Sequence, residues 1–197
     1  RKQIKEQVLP DGGHFELSPM YHGIFLNDIL DIIWFCRSHK KSINEELLYE
    51  LVRVALKMGG WLSVMTPPDG GFAFFNDSTN QIAPEPGKII DYANSLEIYP
   101  KLHDQKIIKT FLADSGYIRL NLLNFSVILD VGEIGPRYLT GHSHADSLCF
   151  EAYAFSERFI VNSGISTYEI GQQRLYERGT SAHNTVEVEE ENSSEIW

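Results

Sequence analysis

Two histidines stand one residue apart in the stretch GHSHADSLCFE, residues 141–151. The alternating apolar residues that follow them indicate the entry to a β-strand, and side chains two positions apart in a strand share one face. We therefore expect His142 and His144 to point toward the same partner, such as a metal ion or a substrate. Two unrelated surface histidines are the alternative that this spacing leaves open.

A third histidine and an asparagine extend this set. His183 opens a later predicted strand, and Asn162 ends the strand expected to pair with that of His144. Imidazoles combined with an oxygen ligand are typical of a divalent-metal site, and zinc suits imidazole-rich ligand sets best. The pattern predicts a zinc site at His144, Asn162 and His183, with separate hydrogen-bonded histidines as the alternative. The neutral amide of Asn162 is a weaker ligand than a carboxylate, which lowers the affinity expected.

A second group of polar side chains lies near the start of the chain, in LPDGGHFELSPMYHG, residues 9–23. Its Asp-Gly-Gly sequence predicts a turn, and Ser18-Pro19 predicts the start of a helix. The side chains expected near this helix start are His14, Glu16, Tyr21 and His22. They could bind a substrate or pack in the interior. Arg174 and Arg178, four positions apart, could bind carboxylates or be solvated in a loop.

The first half of the chain is predicted to be helical. Apolar residues recur at steps of three and four over residues 23–38 and 42–65, a pattern that predicts two amphipathic helices. Residues 66–87 are dense in Pro, Gly, Asn and Asp and predict a long loop of the kind that is often functional. A shorter helix is expected over about 88–98. Candidate N-caps for the second helix are Ser42 and Asn44.

The second half changes to a period of two, which predicts strands. Residues 116–132 indicate two strands around a turn at 123–124, and residues 146–164 indicate a hairpin that turns at 156–158. A further strand is expected over residues 182–189. Helices in one block followed by strands in another predict an α+β organisation.

Composition excludes several classes of protein. The 197 residues carry 17 basic and 27 acidic side chains, a net charge of −10, which argues against a general nucleic-acid binder. No apolar run is long enough to span a membrane, and the first residues lack the apolar core of a signal peptide. Two cysteines, Cys36 and Cys149, cannot define a disulfide framework and are expected to be small buried hydrophobic residues.

Five motifs occur in an order that resembles the heparinase II/III-like polysaccharide lyases. They are LPDGGHFELSPMYH, PPDGGFAFFNDS, GHSHADSLCFE, VNSGISTYEIG and RGTSAHNTVEVE with SSEIW. The resemblance spans nearly the whole chain. It implies an α+β fold in which residues 1–108 form the last helices of an (α/α) toroid and residues 109–197 form the first part of an antiparallel β-sandwich. The active site of that family lies in the cleft between these two portions.

The resemblance also implies roles for individual residues. Tyr21 in SPMYH matches the catalytic tyrosine of the family, and His142 matches its active-site histidine. His144, Asn162 and His183 match the ligands of a zinc reported in some members. The family more often has Asp in VDPG where this chain has Asn162 in VNSG, which weakens the expected metal site. Four further polar residues are expected to contact the substrate from their positions in the sequence rather than from the resemblance: His14, Glu16, His22 and Arg178.

The implied reaction is β-elimination across a uronic-acid linkage of an anionic polysaccharide. A base removes the proton alpha to the uronate carboxylate, and the dianion that develops needs donors arranged in advance. Tyr21 would be the base and His142 its partner, with a structural zinc because elimination consumes no water. The resemblance further implies a periplasmic or exported bacterial protein, and exposed helix faces of a partial toroid would allow homo-oligomers to form.

Two other classes of protein stay open at this point. The first is a non-catalytic glycan-binding or surface-polysaccharide assembly protein with the same fold, which the Asn162 substitution favours and the presence of Tyr21 and His142 opposes. The second is a cupin-type metalloenzyme, which also uses a His-x-His pair. Cupins place a Glu shortly after the second histidine, where this chain has Leu148 and Cys149.

Overall fold

The computed structural model describes residues 1–39, 44–136 and 138–196 and confirms the α+β organisation. The helices are α1 (Lys2–Gln7), α2 (Pro19–Ser38), α3 (Glu45–Met65), α4 (Pro86–Ser95) and α5 (Gln172–Arg178), with a 3-10 turn at Thr180–Ala182. The strands are β1 (Lys109–Leu112), β2 (Tyr117–Leu122), β3 (Phe125–Asp130), β4 (Phe150–Ala154) and β5 (Glu157–Ile160).

The two long helices begin at capping residues that the sequence indicated. Ser18 caps α2, and its side chain accepts from the Tyr21 amide at 3.3 Å, while Pro19 occupies the first turn. Asn44 caps α3 by accepting from the Leu47 amide at 3.2 Å. The other candidate cap, Ser42, lies outside the described residues. The Ser18 cap places α2 four residues earlier than its apolar pattern predicted, so Tyr21 falls in the first turn of the helix.

Helices α2, α3 and α4 pack around one hydrophobic cluster. Its members are the buried apolar side chains Met20, Leu26, Leu30, Ile33, Met58, Leu62, Phe72 and Ile89. Gly23 permits close contact between α2 and the loop that follows α3, because a Cβ at this position would lie 2.9 Å from the Phe72 ring. The long loop predicted between α3 and α4 is confirmed, and its Phe72 side chain packs into this cluster.

The five strands form one antiparallel sheet in sequence order, β1 to β5. The two predicted hairpins are confirmed. The first turns at Leu123, which adopts a left-handed conformation with φ 54°. The second turns at Phe155 and Ser156, slightly earlier than predicted, and both residues have positive φ. Strand β1 completes the sheet and was not predicted from the sequence.

Three predictions about strands are wrong. The segment 182–189 is a loop that follows the 3-10 turn. Among the described residues, the β-pairing that involves this segment is a single isolated bridge between Val188 and Glu191. Its valines alternate with glutamates, but they are exposed and no neighbouring strand offers a ladder to them. His142 and His144 also lie in a loop, because β4 begins only at Phe150. Asn162 and His183 likewise lie outside strands, and Cys149 directly precedes β4.

A second cluster joins the helices to the sheet. It contains apolar side chains from both portions: Leu17, Trp61, Val64, Phe75, Tyr117, Ile128, Cys149 and Tyr153. The buried Arg119 of β2 donates to the carbonyl oxygens of Val64 at 2.8 Å and Thr66 at 2.6 Å, where α3 ends. Tyr117 donates to the Leu17 carbonyl at 2.6 Å. These bonds fix the sheet against α3 and against the segment that leads into α2.

Replacing Arg119 tests this junction. We expect Arg119→Met to lower the free energy of unfolding by about 2–3 kcal/mol, because two carbonyl oxygens at the end of α3 lose a charged donor. Urea denaturation of the full-length protein measures the change. Arg53→Met, at an exposed position of α3, is the matched control and should leave stability nearly unchanged. Equal stability of the two variants would contradict the role given to Arg119.

Candidate active site

The centre of the candidate site is the carboxylate of Asp77, which is fully buried in the loop between α3 and α4. Arg174 of α5 donates to both of its oxygens at 2.6 Å, forming a bidentate pair. The same two oxygens lie 2.8 Å from ring nitrogens of two histidines, Oδ1 from His144 Nε2 and Oδ2 from His142 Nδ1. One carboxylate therefore holds both histidines of the His-x-His motif.

These contacts keep Asp77 ionised. Burial opposes ionisation, but hydrogen bonds from His142, His144 and Arg174 outweigh it and hold the pKa of the carboxyl well below its usual value. The pKa of His144 is lowered, because burial and the nearby guanidinium groups of Arg174 and Arg178 disfavour its charged form more than Asp77 supports it. The charge of the carboxylate is thus balanced chiefly by Arg174.

Tyr21 lies directly beside His142. Their ring centroids are 4.1 Å apart with an interplanar angle of 35°. The Tyr21 hydroxyl donates to the Tyr168 hydroxyl at 3.1 Å, and the Arg174 guanidinium lies 5.3 Å from the centre of the Tyr168 ring. Burial, together with the bond from Tyr21, raises the pKa of Tyr168. The structure therefore brings together the phenol from the helical portion and the imidazole from the β portion.

Glu16 and His14 lie on the other side of His142. Glu16 Oε2 is 4.0 Å from His142 Nε2 and 3.8 Å from His14 Nδ1. Burial is the main cause that raises the pKa of Glu16, with Asp77 adding to it and His142 opposing it. Burial and His142 lower the pKa of His14 to about 4, so His14 is neutral near pH 7 and forms no ion pair with Glu16. Of these two residues, Glu16 is the one whose carboxylate lies near the Nε2 atom of His142.

His22 and Arg178, which were expected to contact the substrate, both lie in the protein interior. His22 is fully buried and stacks on Trp61, its Nδ1 accepts from the His14 amide at 3.2 Å, and its Nε2 donates to the Met58 carbonyl at 3.0 Å. Arg178 is buried and donates to the Ser143 carbonyl at 2.7 Å, inside the His-x-His loop. In this structure the polar groups of both side chains bond protein atoms, and a contact of either one with the substrate stays a prediction.

The three predicted metal ligands also lie close together. The His144 and His183 ring centroids are 5.2 Å apart, and His183 Nδ1 lies 2.8 Å from Asn162 Oδ1. The amide nitrogen of Asn162 donates to the Phe74 carbonyl at 2.8 Å, which fixes the amide orientation. Burial, with a contribution from His144, lowers the pKa of His183 to about 3. The His183 imidazole is therefore neutral near pH 7, the form in which a histidine nitrogen can bind a metal ion.

Two residues of the site were not singled out from the sequence. Asp77 lies in the motif PPDGGFAFFNDS, and its loop was expected to be functional, but no spacing rule connects it to histidines 65 and 67 positions later in the chain. Tyr168 lies in VNSGISTYEIG and had no distinguishing pattern. Both are positioned only by the fold.

Comparison with known proteins identifies the family of the chain. Residues 1–107 match the model of the heparinase II/III N-terminus, and residues 105–197 match that of the heparinase II/III-like C-terminal region. A heparin-sulfate lyase of Bacteroides stercoris is 25% identical over 215 residues, covering 97% of this chain and 31% of that protein. The chain belongs to the heparinase II/III family.

Solved structures show that the fold is shared. Heparinase III superposes with a TM-score of 0.78 at 18% identity, covering 97% of this chain and 34% of that one. The heparan sulfate lyase HepC from Pedobacter heparinus superposes with a TM-score of 0.74 at 19% identity, covering 97% and 32%. The chain thus spans about a third of the length of these relatives. Within the described ranges, no helix has both the length and the apolar character needed to cross a bilayer.

The buried His22 predicts a pH dependence of stability. Burial and the neighbouring His14 lower its pKa in the folded protein to about 3, against about 6.5 in an unfolded chain. Between these values the unfolded state binds a proton that the folded state does not, so stability falls as pH falls, by about 1.4 kcal/mol per pH unit. We expect His22→Gln to remove this contribution from the slope measured by urea denaturation between pH 6.5 and 4.

The matched control is His39→Gln, at an exposed position just after α2. It should leave the slope of stability against pH unchanged. A His22→Gln protein whose slope equals that of the unaltered protein would contradict the assignment of His22 as a buried neutral histidine.

Proposed function

We propose that the full-length protein is a polysaccharide lyase that cleaves uronic-acid-containing glycans by β-elimination. The observation that carries the proposal is the contact between the rings of Tyr21 and His142, with His142 held by the buried carboxylate of Asp77. Family membership supports it, as does the lyase name of the relative from Bacteroides stercoris. The substrate class, an anionic polysaccharide, follows from the same relatives.

Tyr21 is the proposed base and acid. Its phenolate would remove the proton alpha to the uronate carboxylate, the bond from the adjacent ring carbon to the glycosidic oxygen would break, and the same proton would return to the leaving oxygen. An ordinary phenol has a pKa near 10 and needs donors to stabilise its anion. Tyr168 lies at hydrogen-bond distance from the Tyr21 oxygen and can reverse the present bond to donate to the phenolate.

His142 would stabilise the charge that develops on the substrate carboxylate. Asp77 accepts a hydrogen bond from His142 Nδ1, and in the imidazolium form the proton on Nε2 would be donated to the substrate carboxylate or to Glu16. The His142 side chain is 30% exposed, so it is accessible to a ligand, whereas Asp77 is not. Donors fixed in advance in this way stabilise a transition state without reorganising during the reaction. A zinc bound at the neighbouring buried residues would give structural support, and no step of the reaction needs it.

Substitution of Tyr21 tests the proposal directly. The full-length protein, incubated with heparan sulfate and with other uronate-containing glycans, should produce the ultraviolet absorbance of an unsaturated product. We expect Tyr21→Phe to lower kcat by about 100-fold to 10,000-fold, because it removes the group that transfers the proton. Tyr49→Phe, at an exposed position of α3, is the matched control and should retain full activity.

Two results would contradict the proposal. One is an active Tyr21→Phe variant, which would exclude the phenol as base and acid. The other is a protein that binds the glycans with the fold intact but releases no unsaturated product from any of them. That second result would favour the glycan-binding alternative, which the asparagine at position 162 supports.

Asp77 is proposed as a positioning residue, and Asp77→Asn tests this role. An asparagine offers one acceptor where the carboxylate offers two, so one of the two imidazoles must change tautomer or lose its bond. We expect kcat to fall by about 10-fold to 100-fold with little change in KM, the size of effect seen when a carboxylate that orients a functional histidine is replaced. Nitrogen-15 NMR of the imidazole rings should show the change of tautomer. An unchanged spectrum accompanied by unchanged kcat would contradict the role.

A further inference from the structure

Glu16 and His14 form a polar corner beside the two reactive rings. Glu16 Oε2 lies 3.8 Å from His14 Nδ1 and 4.0 Å from His142 Nε2, which is too far for a hydrogen bond to either nitrogen. Within the described ranges the Glu16 carboxylate accepts no hydrogen bond, and the buried Nδ1 of His14 has no partner. Buried polar atoms are almost always paired in proteins, so this corner is suited to binding a polar group of a ligand.

A bound sugar can reach the polar corner. The Glu16 side chain is 15% exposed and that of His142 is 30% exposed, so both are open to solvent. The His14 ring packs against the rings of Phe15 and Phe25, each with its centroid 4.9 Å away. These contacts hold the imidazole in place, with Nδ1 toward Glu16. The corner is therefore arranged before a ligand arrives, which lowers the cost of binding.

The chemistry of the polar corner matches a hydroxyl group. A carboxylate only accepts hydrogen bonds and a neutral imidazole can donate one, whereas a hydroxyl both donates and accepts. Burial and His142 lower the pKa of His14 to about 4, so this ring is neutral near pH 7. Burial and Asp77 raise the pKa of Glu16, and His142 opposes them in favour of the ionised form. A separation of 3.8 Å allows one hydroxyl oxygen to lie about 2.8 Å from both Glu16 Oε2 and His14 Nδ1.

A sulfate ester in place of that hydroxyl would not fit the polar corner. Esterification removes the proton that Glu16 would accept and brings a negative charge against a carboxylate that is largely shielded from water. Like charges in contact across an interface are strongly unfavourable. Arg174 cannot relieve the repulsion, because it already donates to both oxygens of Asp77 at 2.6 Å.

We propose that Glu16, together with His14, selects uronic-acid glycans that carry a free hydroxyl at this position and disfavours glycans in which that hydroxyl is sulfated. The inference rests on the proposed function in taking the uronate carboxylate to bind at His142 Nε2. Glu16 Oε2 is 4.0 Å from that nitrogen, so the hydroxyl belongs to the reacting sugar or to the sugar joined to it. Specificity of this kind combines an attractive contact for one ligand with a repulsive contact for its competitor.

Two glycans that differ only in O-sulfation test this assignment. Isothermal titration calorimetry measures the affinity of the full-length Tyr21→Phe protein for heparin and for chemically O-desulfated heparin, without interference from turnover. We expect the added substitution Glu16→Gln to weaken binding of the O-desulfated glycan by about fivefold, because the hydroxyl loses a charged acceptor. The same substitution should strengthen binding of heparin by about tenfold, because the repulsion of its sulfate is removed.

The matched control is Glu169→Gln, which removes the same charge from an exposed position next to Tyr168 and should shift both affinities alike. Equal shifts for the two glycans in Glu16→Gln, or no shift, would overturn the proposal. If Glu16→Gln fails to fold, Glu16→Asp decides, because it keeps the charge but withdraws the acceptor and should weaken only the O-desulfated glycan. Opposite shifts in a protein that releases no unsaturated product would support this selection and contradict only the lyase reaction.

Discussion

The arrangement of the candidate site depends on one buried carboxylate. Asp77 is removed from water, and a carboxylate in that position is stable only when charged or polar partners compensate for its lost hydration. Arg174 and two histidines provide that compensation. Because these partners come from α5 and from the His-x-His loop, three distant segments of the chain must meet for the carboxylate to have all of its partners.

The site belongs to neither half of the molecule alone. Tyr21 comes from the first turn of α2, Asp77 from the loop that follows α3, and His142 from the loop between β3 and β4. Arg119 and Tyr117 hold the sheet against the helices by bonds to backbone carbonyl oxygens. The relative position of the Tyr21 and His142 rings therefore depends also on the bonds between the sheet and the helical portion.

The sequence predicted the elements with strong periodicity and the residues within motifs. The long helices, the two hairpins and the convergence of His142 with Tyr21 could be anticipated from apolar spacing, turn residues and the family resemblance. Helix α2 begins earlier than its apolar pattern predicted, because the Ser18 cap decides where that helix begins. The prediction of a strand at 182–189 was wrong. Alternating valine and glutamate favour a strand, but a strand also needs a partner to pair with, and the described residues form only an isolated bridge here.

The cap of α2 has a consequence for where this chain can tolerate insertions. Ser18 Oγ accepts from the Tyr21 amide and also donates to the Asp77 carbonyl at 2.9 Å, so one hydroxyl couples the helix register to the loop that holds the imidazoles. Each residue added to an α-helix turns the following side chains by about 100°. A single extra residue between Ser18 and Tyr21 would rotate the phenol away from His142, whereas several extra residues in the distant hairpin turns would leave their alignment intact.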